Sequence, residues 1–181
     1  MKTKQEVRKE IAELKKTFAA ADYERLSGQV CRRLANTEYF AKAKCVAFYY
    51  STRDEVSTWD FIEEWRVGKR IALPVVVGED MEFYAYEGPS KMKLGAFGIA
   101  EPLGTERIDI AEIDMFVVPG VAFDRNLNRL GRGKGFYDRV LSSVDKPVIG
   151  LCFGFQLLDK IPAEVHDRRM TAVVTEDAIV S

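Results

Sequence analysis

Apolar residues recur at helical spacing near the start of the chain. Val7, Ile11, Leu14 and Phe18 follow one another at steps of four, three and four residues. This spacing places the four side chains along one face of an amphipathic helix. The pattern therefore predicts a first helix over residues 4–20.

Two more helices are predicted from apolar spacing and from capping residues. Apolar residues at four-residue steps between Leu26 and Leu34 follow Asp22, whose carboxylate can cap the first turn of a helix. Further along, Ser57 or Thr58 can cap a helix that Gly68 ends. We therefore expect a second helix up to about residue 34 and a third over about residues 58–67.

Several short segments are mostly apolar, which predicts buried β-strands. They are residues 43–50, 70–77, 113–118, 147–153 and 171–175. Residues 81–86 predict a shorter strand that pairs with 70–77, and residues 135–142 predict a further helix. Buried strands that alternate with helices are typical of a largely parallel sheet covered on both faces. The fold class expected is therefore α/β, in a single domain over residues 1–181.

Residues 87–103 are rich in turn-forming residues but contain Leu94, Phe97 and Ile99. Apolar residues in an irregular segment can form a small satellite core or one wall of a pocket. The pattern by itself favours the satellite core. It predicts no regular element in this segment.

Composition indicates an ordinary folded protein. The chain has 181 residues, of which 47% are hydrophobic and 30% charged, and its net charge is −1. This balance argues against a general binder of nucleic acids or of membrane surfaces. The sequence has no apolar run of the roughly 20 residues that a membrane helix needs, and no apolar signal segment near its start. Three widely spaced cysteines fit neither a disulfide framework nor a zinc site, so we expect a cytoplasmic protein.

Positive charge is concentrated in one glycine-rich stretch, residues 124–139. Five Lys or Arg residues and two Asp residues give it a net charge of about +3, and three of its glycines alternate with other residues. Alternating glycines let the backbone adopt positive φ and let a ligand approach closely, and successive N–H groups can bind an anion. The stretch predicts a site for a polyphosphate or a multiply charged acid. We call residues 129–137 the glycine loop.

Neither of the two common phosphate motifs matches this loop. A Walker A motif that used Gly133 and Lys134 would need a glycine at Asn128 and a hydroxyl residue at Gly135. The dinucleotide motif G-x-G-x-x-G fails as well, because the third glycine comes one residue early. What remains is a cationic loop followed by Asp138, a carboxylate that could hold magnesium beside phosphates or pair with a neighbouring arginine.

Charged residues elsewhere allow two interpretations each. Lys4 and Arg8, one turn apart, either form a solvated basic face or reach a bound phosphate. The residues after the 43–50 strand, among them Asp54 and Glu55, lie where α/β sheets bind ligands, but they also suit a charged surface turn. Asp167 lies in a second polar loop and could be another metal ligand.

At this point the sequence resembles a known family. The residues RLGRGKGFYD at 129–138, preceded by PGVAFD at 119–124, are similar to the signature of 5-formyltetrahydrofolate cyclo-ligases. The resemblance continues in the basic first helix, in the S-x-x-D-E sequence that ends at Glu55, in F-G-I-x-E-P from Phe97 and in the His-Asp pair at 166–167. It implies a three-layer α/β sandwich similar to sugar-phosphate isomerase and CoA-transferase domains. It also implies closure of 5-formyltetrahydrofolate to 5,10-methenyltetrahydrofolate, with ATP as co-substrate, Mg²⁺ as cofactor, and ADP and phosphate as products.

The resemblance also implies which residues form the site. The residues expected to bind ATP are Lys4, Arg8, Arg129, Leu130, Gly131, Arg132, Gly133, Lys134, Gly135, Phe136 and Tyr137. Those expected to contact the folate are Tyr50, Glu55, Phe97, Arg132, Gly133, Lys134, Gly135 and Phe136. Arg132 and Lys134 are expected to be catalytic, and Asp138 and Asp167 to hold the metal. The chain departs from the family pattern at two positions, with Leu127 where Gly is usual and Thr171 where Asp is frequent.

Two other functions are compatible with the sequence. The basic glycine loop could bind RNA or a phosphoprotein, which would give affinity with a steep salt dependence. A relative that binds folate or nucleotide without turnover is the other possibility. The interpretation that the residues favour is an enzyme with small-molecule substrates, without nucleic-acid or membrane partners, acting as a monomer.

Overall fold

A computed structural model describes residues 2–164 and 167–181, so His166 of the His-Asp pair lies outside the described residues. Within these residues the α-helices are α1 (Lys4–Lys16), α2 (Ala20–Ala35), α3 (Glu38–Lys42), α4 (Trp59–Trp65) and α5 (Phe136–Leu141). None of the described helices combines the length and the apolar character that a membrane crossing requires.

The strands of the described residues form one large sheet and two small ones. Their bounds are β1 (Cys45–Ala47), β2 (Arg70–Val77), β3 (Asp80–Ala85), β4 (Met92–Leu94), β5 (Ala100–Pro102), β6 (Arg107–Ile108), β7 (Met115–Pro119), β8 (Ala122–Asp124), β9 (Arg129–Leu130), β10 (Val148–Leu151), β11 (Leu157–Leu158), β12 (Ala172–Val174) and β13 (Ile179–Val180). The large sheet has the order β13-β12-β10-β7-β1-β2-β3-β6. Its five middle strands are parallel, while β13, β3 and β6 pair antiparallel. The predicted mostly parallel α/β sheet is confirmed.

Helices cover both faces of the large sheet because successive strand residues point in opposite directions. Val46 and Phe48 pack into one core, with residues of α2, α3 and α4. Cys45 and Ala47 pack into the other core, with Leu141 of α5. Both faces of β1 are therefore buried, which explains why its sequence is continuously apolar.

The first helix packs against the end of the molecule that carries the glycine loop. Val7 and Ile11 are buried in a third, smaller core with Ala122, Leu130 and Ile161. This contact attaches α1 to β8 and β9, the two strands on either side of the turn that leads into the glycine loop. Because one face of α1 is held in this way, its polar residues are carried to the edge of the loop.

Two expectations about the helices were wrong, and one short helix was not predicted. The first helix ends at Lys16 rather than at residue 20, and the hydroxyl of Thr17 donates to the carbonyl of Leu14 after the last turn. The second helix begins at Ala20, so Asp22 lies in its first turn instead of capping it, and its carboxylate pairs with Arg25. The short helix α3 was not predicted, since five residues are too few to show a helical period.

The segment 87–103 is more regular than its sequence suggests. It contains an antiparallel hairpin formed by β4 and β5, with a 3₁₀ turn between them. Leu94 and Phe97 are largely exposed, at 78% and 62%. The satellite core that the apolar pattern favoured is therefore wrong. Phe97 forms part of a pocket wall, as the other interpretation expected and as the resemblance implied.

Candidate active site

The predicted site residues meet at a cavity of about 260 Å³ at the carboxyl ends of β1, β2 and β7. Its walls come from the segment after β1, the β4–β5 hairpin and the glycine loop. The predicted residues that line it are Tyr50, Glu55, Phe97, Arg129, Gly131, Arg132, Gly133, Lys134, Gly135, Phe136, Tyr137 and Asp138. This is the edge of the sheet where α/β proteins bind ligands.

Four predicted residues do not line this cavity. Leu130 is buried beneath the loop, with 2% of its surface exposed. Arg8 lies behind the loop, and its Nε donates to the carbonyl of Gly131 at 2.9 Å. Lys4 is the first residue of α1, and its Nζ is 2.8 Å from Glu164 and 3.5 Å from Asp167. The structure thus brings α1 to the loop, with Arg8 contacting the loop backbone.

The turn that leads into the glycine loop is organised by Asp124, which is fully buried. One oxygen of its carboxylate accepts from the backbone N–H groups of Asn126 and Asn128, at 2.9 and 3.0 Å. The other accepts from the side-chain amide of Asn128 and from the backbone of Ile161, at 2.9 and 3.0 Å. Four donors on one buried carboxylate fix the path of the chain before Arg129.

Leu127 adopts the backbone conformation that its position requires. Its φ is +67°, in the left-handed region that glycine enters most easily. Its carbonyl accepts from Met170 N at 2.8 Å, and its N–H donates to Asp124 O at 3.0 Å. The departure from the usual glycine therefore leaves the turn in place and stores some backbone strain there.

Thr171, the second departure, has a role at a strand end. Its hydroxyl accepts from Val148 N at 3.0 Å, and its own N–H donates to Val148 O at 2.7 Å. These bonds register the segment before β12 against β10. A threonine hydroxyl thus supplies an acceptor at the position where the resemblance implies a frequent carboxylate.

Arg129 supports the loop from below. Only 6% of its side chain is exposed, and its Nη1 donates to Pro119 O at 3.0 Å. Its Nη2 donates to Asp138 at 2.6 Å, and the guanidinium lies 5.5 Å from the centre of the Tyr137 ring. Burial raises the pKa of the Tyr137 phenol well above its usual range, so this group stays neutral.

The glycines of the loop allow the backbone to turn sharply between its cations. Gly133 has φ +95° and Gly135 has φ +75°, conformations that a residue with a Cβ rarely adopts. The Arg8 guanidinium lies 3.5 Å from where a Cβ on Gly133 would be. Alternation of glycine with Arg132 and Lys134 therefore follows from the loop geometry.

Arg132 connects the glycine loop to the segment after β1. Its Nη2 lies 3.2 Å from Thr52 Oγ1, 2.8 Å from Asp54 Oδ1 and 3.1 Å from Glu55 Oε1. The Glu55 side chain is only 10% exposed, and its other oxygen accepts from Thr52 N at 2.9 Å. Arg132, which is predicted to bind phosphate, thus directly contacts Glu55, which is predicted to bind the folate.

Lys134 lies on the opposite side of the cavity. Its Nζ is 5.4 Å from the centre of the Phe97 ring, and Phe97 lies 6.0 Å from Phe136. Phe97 holds this position with φ +59°. Among the described residues, no carboxylate or other polar group forms a hydrogen bond or ion pair with Lys134 Nζ.

Comparison with known proteins shows which family this chain is similar to. The model of the 5-formyltetrahydrofolate cyclo-ligase family matches residues 1–176. The chain belongs to this family. The 5-formyltetrahydrofolate cyclo-ligase of Haemophilus influenzae is 32% identical, over 91% of this chain and 92% of the relative. The one from Escherichia coli K12 is 30% identical, over 93% and 98%.

A solved structure gives the same result for the fold. The NMR structure of Aquifex aeolicus 5,10-methenyltetrahydrofolate synthetase has a TM-score of 0.89 and 35% identity, and covers 97% of this chain and 91% of that one. The resemblance found in the sequence is therefore confirmed, and with it the prediction of a ligase of folate one-carbon metabolism. The likeness to sugar-phosphate isomerase and CoA-transferase domains stays a prediction.

The predicted metal ligands do not form a ready-made metal cage. In residues 2–164 and 167–181, no group of three or more His, Cys, Asp or Glu side chains could hold a metal ion. Asp138 lines the cavity and pairs with Arg129, as one of the two sequence-based interpretations expected. Asp167 accepts from Glu164 N at 2.9 Å, outside the cavity lining. Their metal-binding roles stay predictions for this member of the family.

Several residues of the site had no role assigned from the sequence. Asp124 shapes the loop, and Asp54 and Thr52 contact Arg132. Glu101 lines the cavity at 6% exposure, and its Oε1 accepts from Val76 N at 3.2 Å. Asp54 lies within the S-x-x-D-E sequence and Glu101 within F-G-I-x-E-P, and these motifs could have indicated a role for both residues. No local pattern indicates which residues they contact.

Proposed function

We propose that this protein closes 5-formyltetrahydrofolate to 5,10-methenyltetrahydrofolate and consumes ATP, with residues 1–181 acting as one catalytic domain. Membership of the cyclo-ligase family supports the reaction and implies ATP as co-substrate. The proposal rests mainly on the surroundings of Lys134. Its ammonium group lies on the glycine loop and has no carboxylate partner in the described residues, so it suits the phosphate of a ligand.

The chemistry requires activation of a poor leaving group. In the proposed first step the formyl oxygen attacks the γ-phosphorus of ATP, so that an O–P bond forms and ADP leaves. N10 of the folate then attacks the formyl carbon and loses its proton, while the C–O bond breaks and inorganic phosphate leaves. Transfers of this kind depend mostly on positioning and on neutralised charge.

The residues of the cavity suit these tasks. Lys134 and Arg132 supply positive charge where the phosphoryl group moves, and the loop N–H groups supply donors to its oxygens. Glu55 offers a nearly buried carboxylate to the amino and N–H groups of the pterin ring. The Tyr50 and Phe97 rings supply apolar walls on two sides of the same space.

Magnesium is included in this proposal as a partner of ATP. Proteins usually hold it with one or two carboxylates together with substrate phosphates, and the donors here fit that arrangement better than a cage made only of protein. Asp138 would be the carboxylate in the cavity, with Asp167 as the second. The chemistry that the ion supplies is neutralisation of phosphate charge.

We further propose that the protein is a cytoplasmic monomer whose partners are its small-molecule substrates. The three cysteines are all free and buried, which suits a reducing compartment. Light scattering coupled to gel filtration should then give a mass near 20.5 kDa. A stable dimer in this measurement would contradict the monomer.

The activity is tested by mixing purified protein with ATP, Mg²⁺ and 5-formyltetrahydrofolate and following the absorbance of the methenyl product. Wild-type protein should form it only when ATP is present.

Lys134→Ala should lower kcat by about 100-fold or more, because a charge contact made in the transition state is lost. The melting temperature should stay unchanged, because the side chain is exposed. Lys146→Ala, an exposed lysine outside the cavity lining, is the matched control. Absence of the methenyl product with folded wild-type protein would contradict the proposal. A Lys134→Ala variant with the kcat of the wild type would show that Lys134 does not act at the phosphate site.

A further inference from the structure

Asp54 is the centre of a polar cluster between α1 and the glycine loop. Its Oδ1 accepts from Thr52 Oγ1 at 2.6 Å and from Arg132 Nη2 at 2.8 Å. Its Oδ2 accepts from Lys15 Nζ at 2.9 Å, and the same ammonium donates to the backbone carbonyl of Asp54 at 2.6 Å. Two cations from distant parts of the chain therefore meet at this one carboxylate.

Lys15 brings α1 into this cluster. Lys4, Arg8 and Lys15 are separated by four and seven residues, which places the three cations along one face of the helix. Eleven residues of helix span about 16 Å, so this face extends from Glu164, past the glycine loop, to the segment after β1. Lys15 lies at the end of this face that contacts the segment after β1, and only 17% of its side chain is exposed.

Arg132 is shared between two carboxylates with different surroundings. Asp54 is 45% exposed and is itself held by Lys15, whereas Glu55 is 10% exposed and faces the cavity. If the folate binds at Glu55, its pterin ring must compete with Arg132 for that carboxylate. Asp54 weakens this competition, because it attracts the same guanidinium away from the cavity.

We propose that Asp54, anchored by Lys15, is a positioning residue that retains Arg132 while the substrate takes over Glu55. This inference rests on the proposed function, since it assumes that 5-formyltetrahydrofolate binds at Glu55. Asp54 acts through Arg132 and does not touch the substrate. Arg132 thereby stays beside the glycine loop, where its charge is needed in the phosphoryl transfer.

The ionisation of Asp54 agrees with this role. Burial opposes its charge, but hydrogen bonds from Thr52, Lys15 and Arg132 and the charge of Lys15 outweigh this effect and hold the pKa of Asp54 well below its usual range. The carboxylate is therefore ionised at every pH at which the enzyme would work. It can attract Arg132 without a change of protonation during turnover.

The test uses Asp54→Asn, which keeps the size of the side chain and removes its charge. Arg132 then pairs with Glu55 alone, so the KM for 5-formyltetrahydrofolate should rise about tenfold. The kcat should also fall, by about tenfold, because Arg132 is no longer retained beside the glycine loop once the substrate takes Glu55. The Kd for the folate, measured without ATP by quenching of tryptophan fluorescence, should rise by the same factor. Trp59 is a suitable reporter, because it stacks on Tyr50 at 5.9 Å. Asp54→Glu should restore most of the affinity.

A double-mutant cycle separates positioning from a structural role. In an Arg132→Gln background, Asp54→Asn should leave the Kd for the folate unchanged, since the residue through which it acts is gone. Asp22→Asn is the matched control, because Asp22 forms a similar ion pair with Arg25 at 2.7 Å on α2 and is 50% exposed. It should leave both KM and Kd at wild-type values.

The outcomes distinguish the inference from the function on which it rests. Wild-type turnover together with an unchanged folate Kd in Asp54→Asn would overturn the positioning role alone. An equal rise in Kd with and without Arg132 would overturn it too, as it would show that Asp54 merely supports the segment. Wild-type protein that neither binds the folate nor turns it over would overturn both proposals.

Discussion

At the scale of single residues, Leu127 holds a backbone conformation that leucine rarely adopts. The resemblance of the sequence to the family implies glycine at this position, and the structure gives Leu127 the positive φ that glycine adopts freely. The leucine also packs against the core below α5. The strain of the left-handed backbone, roughly 1–2 kcal/mol, is thus offset by apolar burial of similar size.

Substitutions at Leu127 test this balance. Leu127→Gly should change the free energy of unfolding by less than about 1 kcal/mol, because relief of strain and loss of packing nearly cancel. Leu127→Val should lower it by about 1–2 kcal/mol, because a branched Cβ suits this conformation least. Urea unfolding followed by circular dichroism measures both. Equal stability of the two variants would show that residue 127 does not hold a left-handed conformation in solution.

The sequence predicts the types of residue at the site better than their partners. The alternation of glycines with cations in residues 129–137 predicts a phosphate-binding loop, and this prediction is possible because the pattern is local. The contact of Arg132 with Asp54, 78 residues away in the sequence, depends on how α1, β1 and the loop pack. No periodicity or spacing contains that information, which is why Asp54 and Lys15 had no role assigned.

At the scale of elements, the turn between β8 and β9 depends on Asp124. Asp124→Ala would leave four donors without their acceptor in a buried turn. Each such donor costs about 1 kcal/mol or more, so the variant should lose about 3 kcal/mol or more of stability. Asp159→Ala is the control, since Asp159 is 99% exposed and pairs only weakly with Arg125 in the same region. Urea unfolding of Asp124→Ala that matches the control would contradict the role given to this carboxylate.

The elements themselves were predictable where they are long and bounded. The strand at Arg70–Val77 was predicted with both ends correct, because a run of apolar residues lies between Gly68 and Gly78. The hairpin of β4 and β5 was not, because strands of three residues are too short for any period to be detected. The boundary between α1 and α2 was misplaced because Phe18 continues the apolar stripe beyond the last helical turn.

At the scale of the whole molecule, the cavity joins three segments that are far apart in the sequence. The segment after β1, the β4–β5 hairpin and the glycine loop each contribute one wall, and α1 contacts two of them from behind. A ligand that touches more than one wall binds the folded chain but not the unfolded one. It therefore stabilises the whole protein by mass action.

This linkage predicts how the melting temperature responds to ligands. At 100-fold excess over its Kd, a ligand adds about 2.7 kcal/mol, which for a chain of this size raises the midpoint by about 5–10 °C. ATP with Mg²⁺ and 5-formyltetrahydrofolate should each produce such a shift in differential scanning fluorimetry. Glu55→Gln should lose the folate shift and keep the ATP shift, whereas Arg8→Met should reduce the ATP shift and keep the folate shift.

A short RNA should give no shift of the melting temperature. A salt-sensitive shift with RNA and none with ATP would instead favour the nucleic-acid alternative, since the same basic loop would then be binding a phosphate backbone.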